Sequence, residues 1–178
     1  PAGYSMAMAL FRLAFLVMLE RTLTGFMKAA FQTEILRHRA LDMAIKLLGL
    51  TLILEFALPR PLTAAISLLL ATLLAIRFFY WKPQLAFKRL DIGIMYLGYL
   101  AIVLQLGILV QLLVEALGHV ISFVWVGSVS VHLFSFGAMG LVIPGMIIRI
   151  SKGHTGRKVV FDGGDKLLLV IMIIALIA

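Results

Sequence analysis

Cysteine is absent from this 178-residue chain, and charged residues are scarce at 13%. The missing cysteine excludes disulfides, thiolate metal sites, iron–sulfur clusters and cysteine nucleophiles within these residues. Soluble globular chains carry about 25% charged and roughly 45–50% apolar residues, whereas this chain is 63% hydrophobic with a mean hydropathy of +1.12. A soluble domain of this length cannot bury so much apolar surface, so we expect a membrane protein whose first partner is the lipid bilayer.

Long apolar runs predict an all-α fold, a polytopic transmembrane bundle of about five or six helices that forms one domain over residues 1–178. The runs cover residues 3–19, 43–58, 62–81, 92–117, 120–150 and 167–178, and the third to fifth are the clearest. The last run is shorter than the roughly 20 residues that a spanning helix needs. The chain is therefore expected to be a fragment of a longer membrane protein.

The net charge of +8 follows the connections between these runs. Nucleic-acid binding would need a basic face on a soluble fold, so no nucleic-acid partner is expected. Basic residues instead cluster in and beside alternate connections, 20–42, 82–91 and 151–166, and Arg60 alone falls on the other side. The positive-inside rule places these three loops in the cytoplasm of a multi-pass membrane protein. Short turns are predicted at 59–61 and 118–119.

Ionisable residues within the apolar runs cost free energy in a bilayer, so their presence there points to a functional role. They are Arg12, Lys46, Glu55 and Glu115. The last three lie near predicted helix ends, where their charged groups can reach the interface. Arg12 lies deeper, and we expect it to pair within the bundle or with a part of the protein outside this chain.

Histidine is the sharper signal, because a membrane chain without cysteine recruits haem, copper or zinc mainly through imidazole, thioether or carboxylate groups. The four histidines are His38, His119, His132 and His154. Neighbouring arginines disfavour a metal at His38, and His119 falls at the predicted outer turn. His132 falls near mid-bilayer, either as a buried histidine with a hydrogen-bond partner or as a metal ligand. His119 and His132 lie too far apart along one helix to share a metal.

Two segments surround these candidate ligands. Around His132, Ser128, Ser135, Phe136, Met139 and Ile143 fall on or near one helical face, and Gly137 and Gly140 permit a close helix contact. Pro144 is expected to kink this helix or to open a cavity beside it. In the loop around His154, Gly153 and Gly156 allow unusual backbone angles, so that amides and Arg157 either cradle an anion such as a haem propionate or form an ordinary basic turn.

The same segments carry a family resemblance. Residues 132–140, 146–149 and 153–157 resemble the C-terminal signature of the NnrS family, bacterial inner-membrane proteins associated with nitric oxide stress and denitrification and described as binding haem and copper. The resemblance implies haem and copper as cofactors. It implies His132 and His154 as metal ligands, and Gly153, Gly156 and Arg157 as further cofactor-binding residues.

Two departures from the family pattern are visible. Residues 96–99 resemble a His-Leu-Gly-Tyr element, but Tyr96 stands at the histidine position. Residues 20–26 are only faintly similar to a Gly-Arg-Val-Ile-Pro-Phe-Phe stretch and lack its glycine and proline. Because the family has more helices than this chain, the chain would correspond to its C-terminal part, with the rest of the protein as a partner.

Three functions remain open at this point. The leading hypothesis is an NnrS-like haem- or copper-binding membrane protein with nitric oxide as a partner, in which the haem binds nitric oxide, transfers electrons or is catalytic. The second is a membrane transporter or channel, favoured by Pro144, the glycines and Arg12. The third is a structural accessory subunit that pairs with other membrane subunits of a respiratory complex. A haem spectrum separates the first from the other two.

Overall fold

The computed structural model describes residues 2–35, 37–116, 118 and 129–177, and every regular element in those ranges is helical. The helices are α1 (Ala2–Phe31), α2 (Arg39–Thr51), α3 (Arg60–Tyr80), α4 (Pro83–Ala86), α5 (Leu90–Ala116), α6 (Val129–His132), α7 (Gly140–His154) and α8 (Gly163–Ile177). A 3₁₀ segment, Leu52–Ala57, extends α2, and a π-helical segment, Leu133–Met139, joins α6 to α7. The predicted all-α bundle is confirmed.

Among the described residues, three helices are long and apolar enough to cross a membrane: Arg60–Tyr80, Leu90–Gln111 and Val129–His154. They correspond to the third, fourth and fifth apolar runs of the sequence. Many large apolar side chains on the bundle surface are exposed. An exposed apolar surface of this kind fits a membrane protein, because lipid takes the place of water around it.

The first connection is shorter than the sequence predicted. Residues 20–31 were expected to be loop, but α1 continues through them to Phe31. The reason is that Glu20, Leu23 and Met27 recur at helical spacing and are all buried in the bundle. Only residues 32–38 separate α1 from α2, and Gln32 leaves the helix with a φ of 50°.

The predicted hairpin between the second and third runs is confirmed. Leu58 and Pro59 have extended backbone, and α3 begins at Arg60 with Pro61 in its first turn, where a missing amide proton costs nothing. The predicted turn after α5 is described only at Gly118, whose φ is +86°. His119 and residues 120–128 lie outside the described residues.

Helix α5 is the centre of the bundle and packs against α1, α3, α4 and the run from α6 to α7. Gly98 makes the last of these contacts possible. A Cβ atom at this position would lie 2.3 Å from Val142 Cγ2 and 3.3 Å from the carbonyl oxygen of Ala138. The glycine therefore fixes how closely α5 can approach the π-helical segment and α7.

Candidate functional site

Two groups of charged residues lie at the end of the bundle where α1, α3 and α7 finish and α2, α5 and α8 begin. We call this end the basic end, because the three long basic connections meet there. The Arg77 cluster comprises Glu20, Arg37, Asp42, Lys46 and Arg77, and the Asp91 cluster comprises Arg89, Asp91 and Arg149. Together they tie α1, α2, α3, α5 and α7 to one another.

Arg77 is the buried centre of its cluster, with 2% of its surface exposed. Its Nη1 lies 3.4 Å from Asp42 Oδ1, and its guanidinium carbon lies 4.6 Å from the Trp81 ring centroid. Its Nε donates to Tyr99 Oη at 3.2 Å, and that hydroxyl donates to the Leu74 carbonyl oxygen at 2.8 Å. Aromatic faces and a carboxylate thus replace the water that the guanidinium loses on burial.

Glu20 completes the Arg77 cluster from α1. Its Oε1 accepts from Arg37 Nη2 at 3.0 Å and from Lys46 Nζ at 3.1 Å. Its Oε2 lies 2.9 Å from Lys46 Nζ and 3.8 Å from Arg77 Nη1, although neither contact has the geometry of a hydrogen bond. This carboxylate therefore forms ion pairs with cations of the connection 32–38, of α2 and of α3.

The Asp91 cluster joins the start of α5 to α7. Asp91 Oδ2 accepts from Arg149 Nη1 at 2.5 Å, and Arg89 holds both carboxylate oxygens at 2.8 and 3.0 Å. The Arg149 guanidinium carbon also lies 3.9 Å from the Phe26 ring centroid on α1. Arg89 Nη2 donates to the Val159 carbonyl oxygen at 2.9 Å, so the cluster also holds the connection to α8.

His132 ends α6 and faces away from the bundle. It lies three residues after the start of the described span Val129–His154, near one end of that span rather than at the predicted mid-bilayer depth. Its side chain is exposed, and its ring lies 5.7 Å from the Phe136 ring. It makes no hydrogen bond to another described residue, and the Ser135 hydroxyl donates instead to the Val131 carbonyl oxygen at 2.8 Å. The alternative of a buried histidine is therefore wrong. Phe136 and Ile143 are exposed as well, so the face predicted around His132 is an outer face of the bundle.

The π-helical segment begins directly after His132. It covers Leu133–Met139 and ends with the Gly140 amide donating to the Ser135 carbonyl oxygen five residues earlier. Pro144 lies one turn into α7, which continues through it to His154. π-Helical turns are rare and are found frequently at functional sites, because the extra residue changes where side chains point. The irregular winding thus coincides with the segment that holds the candidate ligand.

His154 lies at the other end of the same helical run, and its loop is a helix C-cap. Gly156 has a φ of +67°. The Arg157 amide donates to the Lys152 carbonyl oxygen at 3.0 Å, the Thr155 amide to Ser151 at 3.1 Å, and the Gly156 amide to Gly153 at 3.4 Å. These amides satisfy the end of α7 and are not free to cradle an anion. Gly153 is itself helical, and the His154 and Arg157 side chains are exposed.

The two histidines do not meet. His132 and His154 lie at opposite ends of one helical run, roughly 30 Å apart at ~1.5 Å per residue. Within residues 2–35, 37–116, 118 and 129–177, no three His, Asp or Glu side chains lie close enough to hold one metal ion. Their roles as ligands stay a prediction, and the geometry makes them two separate positions.

Tyr96, at the position where the resemblance expected histidine, is fully buried in α5. Its hydroxyl donates to the Trp81 carbonyl oxygen at 2.6 Å, and its ring packs edge-on against Phe78, Trp81 and Phe87. The side chain at this position therefore packs α5 against α3 and α4. It is not exposed to a ligand on the outer face.

Sequence reasoning missed the buried charges of the basic end. It placed Glu20 and Asp42 at the ends of a loop and read Arg77 and Arg149 as flanks of basic loops. One signal was available, since Arg77 is followed by Phe78, Phe79, Tyr80 and Trp81, a setting in which a charged group can stack on aromatic rings. In contrast, the pairing of Arg12 was expected, and its Nη1 donates to Gln105 Oε1 at 3.4 Å inside the bundle.

Comparison with known proteins agrees with this fold and these segments. The family model described as NnrS protein matches residues 1–178. No curated protein and no solved structure matches the chain. The family match covers the π-helical segment, the His154 turn and the position of Tyr96. The chain belongs to the NnrS family, and this membership supports a membrane protein linked to the nitric oxide response.

Proposed function

We propose that the chain is a multi-pass part of an NnrS protein of the bacterial inner membrane that binds haem through His132 and acts in nitric oxide tolerance or denitrification. The single observation that carries this proposal is the His132 imidazole, exposed on an apolar helix and without a hydrogen bond to a described residue. An imidazole on an apolar surface is stabilised by a partner for its ring nitrogens. A metal ion is such a partner.

The residues at this position fit one side of a haem site. His132 supplies a ligand that iron accepts, and Phe136 and Ile143 add exposed apolar surface on the same face for the macrocycle. The described neighbours of His132 offer no further haem ligand, so a second ligand would come from residues outside the described ranges. When bound, the haem supplies an iron centre for nitric oxide or for electrons.

His154 is proposed as a separate ligand at the basic end, with copper as the metal. It lies in the last turn of α7, where the partial negative charge of the helix C-terminus favours a cation. Because the amides around Gly153 and Gly156 are already bonded, an anion or a propionate there depends on the Arg157 side chain alone. The positive-inside rule places this end in the cytoplasm.

The test is an absorption spectrum and a metal analysis of the full-length protein purified in detergent. We expect a Soret band that His132→Ala abolishes while the helical circular dichroism is retained. His38→Ala is the matched control and keeps the band, because His38 lies in the connection before α2. His154→Ala keeps the Soret band and lowers the copper content. A wild-type protein without a Soret band and without bound metal contradicts the proposal, and so does an unchanged band in His132→Ala.

A transporter is the second candidate, and one observation favours it. A cavity of about 240 Å³ is lined by Ser5, Glu55, Phe56, Leu58, Arg60, Thr63 and Leu109. The buried Arg12–Gln105 pair supplies polar groups farther along α1 and α5. Substrate flux into proteoliposomes by a protein without haem would favour this function over the first. An accessory subunit would show neither flux nor a chromophore.

A further inference from the structure

Helix α2 has two different faces. Asp42 and Lys46, four residues apart, point into the Arg77 cluster. Met43, Leu47, Leu50 and Leu54 follow one another at helical spacing along α2 and its 3₁₀ extension, and each is more than half exposed. One face of this helix therefore serves the bundle, and the other forms a continuous apolar stripe on its surface.

A cavity opens where this stripe reaches the basic end. It has a volume of about 470 Å³ and is lined by Glu20, Arg37, Arg39, Asp42, Met43 and Lys46. Met43 belongs both to the lining and to the apolar stripe. The polar cavity and the apolar stripe thus form one continuous surface.

The cavity has unused positive charge. Its two carboxylates are already paired, Glu20 with Arg37 and Lys46, and Asp42 with the buried Arg77 behind the lining. Arg39 is exposed and makes no ion pair within the part of the chain that the structure describes. Arg37 contacts Glu20 only through Nη2, which leaves its other N–H groups for a ligand. An anionic group at the mouth can therefore bind these arginines, because a guanidinium donates two parallel N–H bonds to the oxygens of a phosphate or a carboxylate.

We propose that this surface is a binding site for an anionic phospholipid, with its phosphate headgroup at Arg37 and Arg39 and an acyl chain along Met43, Leu47, Leu50 and Leu54. The stripe spans about 16 Å at ~1.5 Å per residue. That length is close to half of the ~30 Å hydrocarbon core, the depth of one leaflet. The occupant is a lipid rather than a free anion because the stripe begins inside the cavity and continues into the bilayer. The site does not depend on haem, since the whole surface lies on α2 and the residues before it.

The experiment measures lipid binding to the full-length protein in detergent by native mass spectrometry. Phosphatidylglycerol and phosphatidylcholine are titrated against wild type and against the double variant Arg37→Gln/Arg39→Gln. We expect wild type to bind phosphatidylglycerol more tightly than phosphatidylcholine. The double variant loses about fivefold in phosphatidylglycerol affinity for each cation removed and retains its phosphatidylcholine affinity.

The matched control is Lys158→Gln/Lys166→Gln, which removes one exposed cation from the connection before α8 and one from the first turn of α8 at the basic end. It keeps the preference for phosphatidylglycerol if the site lies at α2. An equal loss in the control and in the Arg37/Arg39 variant overturns the proposal, because the attraction is then a property of the net charge. Competition by inorganic phosphate at the concentration at which phosphatidylglycerol binds also overturns it, since a free anion would then suffice. Leu47→Gln tests the proposal if the arginine variant does not fold, because it changes the apolar stripe and leaves Arg37 and Arg39 in place. We expect it to weaken phosphatidylglycerol binding.

Discussion

Polar groups at the basic end are buried in ion pairs, whereas the polar side chain on the outer face around His132 is exposed. At the basic end Arg77, Asp91 and Arg149 are buried, and each has an ion-pair partner on another helix. On the outer face His132 is exposed in a long apolar helix, lies beside the Phe136 ring and makes no hydrogen bond to a described residue. Buried charges that join helices stabilise the bundle, because removing either partner leaves the other charge buried without its ion pair. A polar group left open at the surface is available to a ligand.

The same difference distinguishes two positions of the family resemblance, one that is buried and stabilises the bundle and one that is exposed. The position of Tyr96 and the segment after His132 both belong to the resemblance. Tyr96 is bonded to the backbone of Trp81 inside the bundle, whereas His132 has no such bond to a described residue. We therefore expect substitutions at the basic end to change folding and substitutions at His132 to change the spectrum.

The largest effect is expected for Asp91→Ala. The substitution leaves Arg149 buried against Phe26 without its carboxylate, and breaking a buried pair in this way costs about 3–5 kcal/mol. Thermal unfolding in detergent, followed by circular dichroism, measures the loss. Glu34→Ala is the control, because it breaks an exposed pair with Lys28, and its Tm is expected to stay at the wild-type value. Equal Tm values for the two variants would mean that the buried pair at Asp91 contributes no more to stability than the exposed pair at Glu34.

A smaller loss is expected for Gly98→Ala. The new Cβ would overlap Val142 Cγ2, so α5 must move away from α7, at a cost of about 1–3 kcal/mol. Gly107→Ala is the matched control in the same helix, because a Cβ there meets no atom within 4 Å. We expect Gly98→Ala to lower the Tm and Gly107→Ala to leave it unchanged or to raise it. Partial recovery of the Tm in Gly98→Ala/Val142→Ala would locate the strain in this contact.

A still smaller effect on stability is expected for His132→Ala in the protein freed of haem. Exposed side chains without partners change stability by about 0.5 kcal/mol or less. The same unfolding assay measures the Tm, and the change is compared with the Tm loss in Asp91→Ala. A loss as large as that of Asp91→Ala would mean that His132 is a structural residue and would break the comparison.

The smallest effect concerns the turn before α8, where the Asp162 carboxylate is exposed. Asp162 accepts from the Asp165 amide and from Lys152, and these contacts lower the pKa of Asp162 from 3.8 to about 2. Because the folded pKa is the lower one, the contribution to stability is fully present above about pH 4 and is lost as the pH falls through about 2. The protection of amides at the start of α8 against hydrogen exchange, measured relative to the intrinsic exchange rate at each pH, should therefore fall in that range. In Asp162→Asn this protection should no longer change with pH through the transition.

The apolar runs predicted the membrane helices well, and the physical reason is local. A span needs only length and apolarity, both of which can be read along the chain, and so the third, fourth and fifth runs became α3, α5 and Val129–His154. The hairpin at Pro59 was equally local, since proline restricts its own backbone. The end of α1 was not predictable in this way, because residues 20–31 look polar until their partners on α2, α3 and α7 are known.

The site was predictable only in its residue types. Family resemblance and side-chain chemistry singled out His132 and His154, but helical spacing could not decide whether His132 faces inward or outward. The structure placed it on the outer face and showed that the amides near Gly156 are bonded within the cap. The apolar length, the basic connections and the candidate ligands were determined by the sequence alone. Burial of Arg77 with Glu20, the contact at Gly98 and the exposure of His132 were decided by tertiary structure, because each depends on which helices lie next to one another.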